Sequence, residues 1–298
     1  MEYRIEKDSL GEIPVAVDHY WGAQTQRSLE NFPIGREKMP QELIYALALI
    51  KKAAARVNYR LDKLDQNRLT LIEKAVDDIL DGTMDAQFPL VVWQTGSGTQ
   101  TNMNVNEVIA FLGNREAGQK LLHPNDHVNM SQSSNDVFPT AMHISAVRQL
   151  QEQLLPALTG LIAAFAHLEQ QNAAIIKIGR THLQDATPLS FGQEISAWRT
   201  MLEKNREQIQ LTLPGLYELA LGGTAVGTGL NAPPGFACQA AAEIAVLTQL
   251  PFTSAANKFH SLTAKDELVF AHGAVKALAA NLLKIANDIR WLASGPRA

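Results

Sequence analysis

Two long stretches of helical periodicity constrain this chain more than anything else in it. From Ser134 to about Gln170, apolar residues fall at Val137, Ala141, Ile144, Val147, Leu150, Leu154, Leu158, Leu161, Ile162 and Phe165. That is the three-or-four spacing of one helix face. Some 37 residues rising about 1.5 Å each predict a rod of about 55 Å. An Ala-rich stripe from Leu262 to about Leu292 repeats the pattern through Leu268, Val269, Val275, Leu278, Leu282, Ile285 and Ile289. Helices this long draw their stability from packing, so they predict a bundle, often one shared between subunits.

Shorter helices are expected from near Pro40 (stripe Leu43, Ile44, Leu47, Ile50, Ala54), from about Asp65 to Leu80, from Pro188 to about Leu211, and from Phe236 to Leu250. Pro188 is read as the residue that opens its helix. The first 40 or so residues, with β-like Tyr3–Ile5 and Ile13–Val17, read as an irregular lead-in. The expected architecture is mainly α: a mostly helical domain over 1–133 with a short β lead-in, then a long-helix bundle over 134–298.

Hydrophobic residues make up 46% of the 298 and charged ones 19%, with a net charge of −4 and no basic block. This is a globular balance without the electrostatic footprint of a nucleic-acid binder. No apolar run reaches the roughly 18 residues of a membrane span. The charged start Glu2-Tyr3-Arg4-Ile5-Glu6-Lys7-Asp8 lacks an apolar signal region, and the expectation is a cytoplasmic bacterial protein. The single cysteine, Cys238, sits among Phe236, Ala237, Ala240 and Ala241 and reads as a buried, inert thiol.

Polar runs interrupt the helices. Ser131-Gln132-Ser133-Ser134-Asn135-Asp136 heads the longest one. One helix cap needs one such residue; the surplus donors at a positive helix end suit an anionic ligand. Gly96-Ser97-Gly98-Thr99 resembles an anion-cradling loop, although no Gly-Lys-Ser/Thr triplet follows to make it a P-loop. His182, within Gly179-Arg180-Thr181-His182-Leu183-Gln184-Asp185-Ala186-Thr187-Pro188, is the candidate general acid or base, because imidazole titrates near neutrality. His123-Pro124-Asn125-Asp126-His127 fits a turn as well as a ligand pair, and Cys/His metal spacings are absent. Gly222-Gly223-Thr224-Ala225-Val226-Gly227-Thr228-Gly229-Leu230-Asn231 implies tight turns.

In this order, Gly22–Arg27, Thr95–Asn106, His123–Asn129, Ser131–Asp136, Gly179–Pro188, Gly222–Asn231 and Lys284–Arg297 closely resemble the fumarase/aspartase superfamily, specifically class II fumarate hydratases. His182 and His123 are similar to the fumarase pattern; aspartate ammonia-lyases carry glutamine at the position of His182. The resemblance implies cofactor-free reversible hydration of fumarate to L-malate, a tricarboxylic acid cycle step; the absent Cys/His spacings imply no metal. It implies Ser97, Gly98, Thr99, Ser133, Ser134, Asn135 and Thr181 as binders of the substrate carboxylates, and His182 as acid/base. His123, Pro124, Asn125 and Asp126 would form a secondary dicarboxylate site. Met130 stands where the family pattern has a basic residue. A homotetramer is implied, with each active site drawn from three subunits.

Family members also continue past the counterpart of Ser294-Gly295-Pro296-Arg297. That stretch holds a Gly-Ser-Ser-x-Met-Pro-x-Lys-x-Asn loop whose serine is the proton-abstracting base. The expectation is a chain covering the N-terminal two-thirds of the architecture, with at most the acid half of an acid–base pair. Another superfamily lyase, or a catalytically dead helical assembly fragment, remains an alternative on sequence.

Overall fold

The computed structural model describes residues 2–295; Pro296 and Arg297, which end the last family-like motif, lie outside the described residues. The chain opens on an antiparallel hairpin, β1 (Tyr3–Asp8) and β2 (Gly11–Ala16), paired from Tyr3↔Ala16 to Asp8↔Gly11. Helix α1 (Ala23–Asn31) follows, then α2 (Gln41–Arg60), α3 (Gln66–Leu80) and α4 (Thr99–Ala117). A π turn over Pro124–Val128 leads to α5 (Ser134–Arg148), and a π segment, Gln149–Leu154, joins it to α6 (Leu155–Gln171). The hairpin β3 (Ile176–Thr181) and β4 (Gln184–Ser190) precedes α7 (Phe191–Leu216). After β5 (Glu218–Leu219) come α8 (Phe236–Thr248), β6 (Thr253–Ser254, parallel to β5), α9 (Lys258–Thr263) and α10 (Asp266–Leu292).

These elements form two compact units, 2–145 with 217–264, and 146–216 with 265–295. The expected division at 133/134 falls at the head of α5, whereas the units are interleaved along the chain. In the first unit α2 packs on α3, α4 and α8, burying Ile44, Leu47, Ile50, Ile72, Ile79 and Ile109. In the second, α7 packs on α6 and α10, burying Trp198, Leu202, Ile209 and Leu278.

Several expectations change for identifiable physical reasons. Helix α1 lies inside the supposed irregular lead-in. Its N-cap, Gly22, provides no side-chain cap; the capping group comes from Glu107, 85 residues away, whose Oε2 accepts the N–H of Gly22 at 2.9 Å. Pro188 does not open a helix: it pairs with Ile178 in the β3–β4 hairpin. Helix α7 starts at Phe191 because Ser190 and Gln193 form a capping box, Gln193 N–H to Ser190 Oγ at 3.1 Å and Ser190 N–H to Gln193 Oε1 at 2.9 Å. The long rod over 134–171 is helical throughout but π-wound over 149–154. Pro156 has no N–H to return to the carbonyl of Glu152 within that segment.

Cys238 is exposed, not buried. The buried stripe of α8 is Phe236, Ala240 and Ile244, and Cys238 falls off that face. Helix α10, beginning at Asp266 rather than Leu262, contains an 18-residue window of mean hydropathy 1.4. By length and composition it is long and apolar enough to cross a membrane, against the expectation that no apolar run reaches that length; its apolar character is an average over a stretch punctuated by His272, Lys276 and Lys284.

Candidate functional site

The first unit holds a cavity of about 440 Å³ lined by Gln24, Thr99, Met103, Asn125, Asn129, Gln132, Ser133, Ser134, Thr224, Ala225, Leu230 and Asn231. The lining is drawn from the first turn of α1, the head of α4, the π turn, the head of α5 and the Gly222–Asn231 loop. Hydroxyls and amides dominate it. The Thr99 and Ser134 hydroxyls are 2.9 Å apart. The Thr224 hydroxyl is buried and has no hydrogen-bond partner among the described residues.

Beneath this wall lies Lys51, completely buried on α2. Its Nζ donates to Asn102 Oδ1 at 2.7 Å, Asn129 Oδ1 at 2.9 Å and Gln132 Oε1 at 3.0 Å. Three ammonium hydrogens meet three carbonyl oxygens, which satisfies the donor inventory of lysine. Burial lowers the Lys51 ammonium to about 7, with the nearby charge of Asp136 opposing the shift. Asn102, also fully buried, passes its Nδ2 to Ser134 Oγ at 2.9 Å.

Asp136 ties the motifs together. Its Oδ1 accepts the N–H of Ser133 at 2.9 Å, and its Oδ2 accepts those of Gly222 at 2.9 Å and Thr224 at 2.8 Å. Burial pushes its carboxyl above the usual carboxylate value, against the pull of these three N–H donors and Lys51. Gly98 is the αL N-cap of α4 (φ 71°). A Cβ there would sit 2.3 Å from the Phe138 ring, so only glycine fits both the backbone and the packing.

The structure brings Thr99, Ser133 and Ser134 together on one cavity wall; Gly98, the residue before Thr99, is buried and does not line it. Ser97 is exposed and is not among the lining residues. Asn135 points its Nδ2 to the carbonyl of Ala225 at 2.8 Å, holding the glycine-rich loop. Of the expected secondary site, Asn125 lines this same cavity. His123 and Asp126 pair with each other at 3.2 Å, and Pro124 opens the π turn. His127 Nδ1 accepts the N–H of His123 at 2.8 Å, which gives that histidine a structural partner. Met130 contributes its carbonyl to Asn58 at 3.1 Å and to Gln132 at 3.0 Å.

Thr181 and His182 belong to the second unit, at the exposed tip of the β3–β4 hairpin. Thr181 pairs with Gln184, leaving a two-residue loop of His182 (φ 53°) and Leu183 (φ 62°). Both positive angles are those of a type I′ turn, made here without glycine. Arg180 and Asp185 flank the turn as an ion pair at 3.3 Å.

The residues that the sequence alone does not single out for the site are Lys51, Asn102, Asn129 and Thr224, whereas Gln132 lies within the donor-rich run already read as ligand-binding. Lys51 had a signal: it falls on the apolar stripe of α2, four residues after Leu47 and three before Ala54. A lysine on a core face demands a buried partner set.

A protein-family model described as a lyase matches residues 11–298. The chain is 59% identical over 301 residues to the class II fumarate hydratase of Oceanobacillus iheyensis and 58% over 302 residues to that of Campylobacter jejuni. Each alignment covers 100% of this chain and 65% of the relative, so the chain spans about two-thirds of the relatives' length. Among solved structures, a recombinant class II fumarase from Schistosoma mansoni superposes with a TM-score of 0.97 at 41% identity, over 100% of this chain and 67% of that one. Helix α10 therefore has its counterpart in that fold. The chain belongs to the lyase family, in its class II fumarate hydratase branch.

Proposed function

We propose that this chain carries the dicarboxylate-binding part of a fumarate hydratase, which adds water across fumarate to give L-malate. The observation that supports this most strongly is the cavity wall of neutral hydroxyl donors, Thr99, Ser133 and Ser134 at helix heads and Thr224 in the glycine-rich loop. Such donors suit a carboxylate better than a cation or an apolar ligand. In the hydration, the water oxygen bonds to one alkene carbon and a proton to the other. The intermediate carries extra negative charge on a carboxylate, so donors fixed in advance stabilise it more than the ground state.

Thr99, Ser133, Ser134 and Thr181 would hold the carboxylates, and His182 would move a proton as acid/base. Asn125, with His123 and Asp126, would give the secondary dicarboxylate contact. The names of the relatives favour hydration over the ammonia-lyase alternative. A homotetramer is supported by the exposed apolar residues of α10, Val269, Phe270, Leu283 and Trp291. A cytoplasmic place in the tricarboxylic acid cycle follows from the same reading.

The test is loss of fumarate ultraviolet absorbance by the purified chain, beside the same chain completed with the unmatched third of the Oceanobacillus relative. Turnover by the completed protein alone supports the reading. Turnover by neither refutes it, and turnover by the short chain would mean that a residue within it acts as the base.

A further inference from the structure

Lys51 sits under the cavity without lining it. An ammonium can only donate, so each of the three side chains facing Lys51 must turn a carbonyl oxygen toward it. For Asn102 this fixes the amide: Oδ1 on Lys51, Nδ2 on Ser134 Oγ at 2.9 Å and on Asn129 Oδ1 at 3.2 Å. Ser134 Oγ is then an acceptor on its inner side and keeps its own hydrogen for the outer side. Ser134 and Thr99 share one hydrogen bond at 2.9 Å, which uses one of their two hydroxyl hydrogens. The other is left for the cavity. Every member of the chain Lys51–Asn102–Ser134–Thr99 can thus accept from the one before and donate to the one after, and such chains polarise cooperatively.

We propose that Lys51 is a positioning residue for the dicarboxylate: by setting the Asn102 amide, it makes the Ser134–Thr99 hydroxyl pair a net donor toward the cavity. This rests on the reading of the cavity as a carboxylate site. Without the ammonium, Asn102 is free to turn its carbonyl toward Ser134, which would then spend its hydrogen inward. The charged group that faces Lys51 electrostatically is Asp136; its carboxylate accepts three backbone N–H groups, while the three ammonium hydrogens go to Asn102, Asn129 and Gln132.

The experiment compares wild type, Lys51→Met, Lys51→Gln and Asn102→Asp. Fumarate KM and kcat are measured in the completed protein, and the rise in unfolding temperature with L-malate in the 298-residue chain, both below pH 7, where Lys51 is an ammonium in the folded chain. Lys51→Met is expected to raise KM about tenfold or more with a smaller change in kcat. Lys51→Gln, which keeps one donor for Asn102, recovers part of the loss. A Lys51→Met protein with KM within about twofold of wild type overturns the proposal. If Lys51→Met does not fold, Asn102→Asp decides, because it keeps an acceptor for Lys51 but removes the donor to Ser134: a raised KM supports the relay and an unchanged one overturns it. If the completed wild type does not hydrate fumarate, the assigned reaction fails. An L-malate shift in the 298-residue chain that Lys51→Met abolishes would still support the positioning role, and no shift in either protein overturns both.

Discussion

The Asp136 carboxylate accepts the backbone N–H of Thr224 at 2.8 Å across 88 residues of sequence. Through this contact the polar run at the head of α5 and the glycine-rich loop become two walls of one cavity. Asp136→Asn would turn an NH₂ toward either the Ser133 N–H or the Gly222/Thr224 pair. A buried donor–donor contact of this kind is expected to cost about 2–4 kcal/mol. Urea unfolding of the variant measures it; a loss under about 0.5 kcal/mol would show that the loop is held by other contacts.

Glu107 plays the corresponding part for α1. Its carboxylate takes the N–H groups of Gly22, Gln24 and Thr25 at 2.9, 2.9 and 3.1 Å and the Thr25 hydroxyl at 2.5 Å. Glu107→Gln replaces one acceptor by a donor facing these groups. Hydrogen exchange at Gln24 and Thr25 is expected to accelerate at least about tenfold, matching a local cost of about 1.5 kcal/mol or more. Unchanged exchange would mean that α1 is held by packing alone.

Both contacts explain where sequence reading stops. The long helices were legible because Val137–Phe165 and Leu268–Leu292 keep a helical period that tertiary packing reinforces. Helix α1 was not, since its cap is a side chain 85 residues away. Pro188 suggests too early a helix start, because the same proline fits the β3–β4 hairpin and the Ser190/Gln193 capping box sets the true start of α7. Thr99, Ser133 and Ser134 could be singled out as surplus donors at helix heads. Lys51 and Thr224 could not be assigned to the same cavity, because that requires knowing which face of α2 and which turn of the loop meet α4 and α5.

Gly98 carries a steric prediction. Gly98→Ala places a methyl group into the Phe138 ring at a φ of 71°. The expected loss is about 2–4 kcal/mol. Combining it with Phe138→Ala should relieve the clash but leave the backbone strain, so the double-mutant cycle should show positive coupling. Strict additivity would contradict the packing argument.

Stability should also depend on pH through Lys51. The folded-state ammonium is lowered to about 7 from an ordinary 10.5. Between these values the unfolded chain holds a proton that the folded chain has released, so stability rises with pH, by at most about 1.4 kcal/mol per unit. Below 7 both states are protonated and the slope vanishes. The difference in unfolding free energy between wild type and Lys51→Met, measured from pH 6 to about 10, isolates this term. A flat difference would contradict it.

The hairpin tip stores strain where the acid/base is proposed to lie. His182 and Leu183 both hold positive φ, a conformation that costs non-glycine residues about 1 kcal/mol each. Leu183→Gly and His182→Asn are expected to raise the unfolding midpoint slightly. His182→Asn should also slow fumarate hydration by the completed protein about 100-fold or more. Lower midpoints in both variants would remove strain from the account.

The most direct measurement is the fumarate KM of the completed protein carrying Thr99→Val and Ser134→Ala, which empty the cavity wall of its paired hydroxyls. Loss of a donor to a carboxylate predicts KM raised at least about tenfold. A KM equal to that of wild type would place the dicarboxylate elsewhere and contradict the central claim.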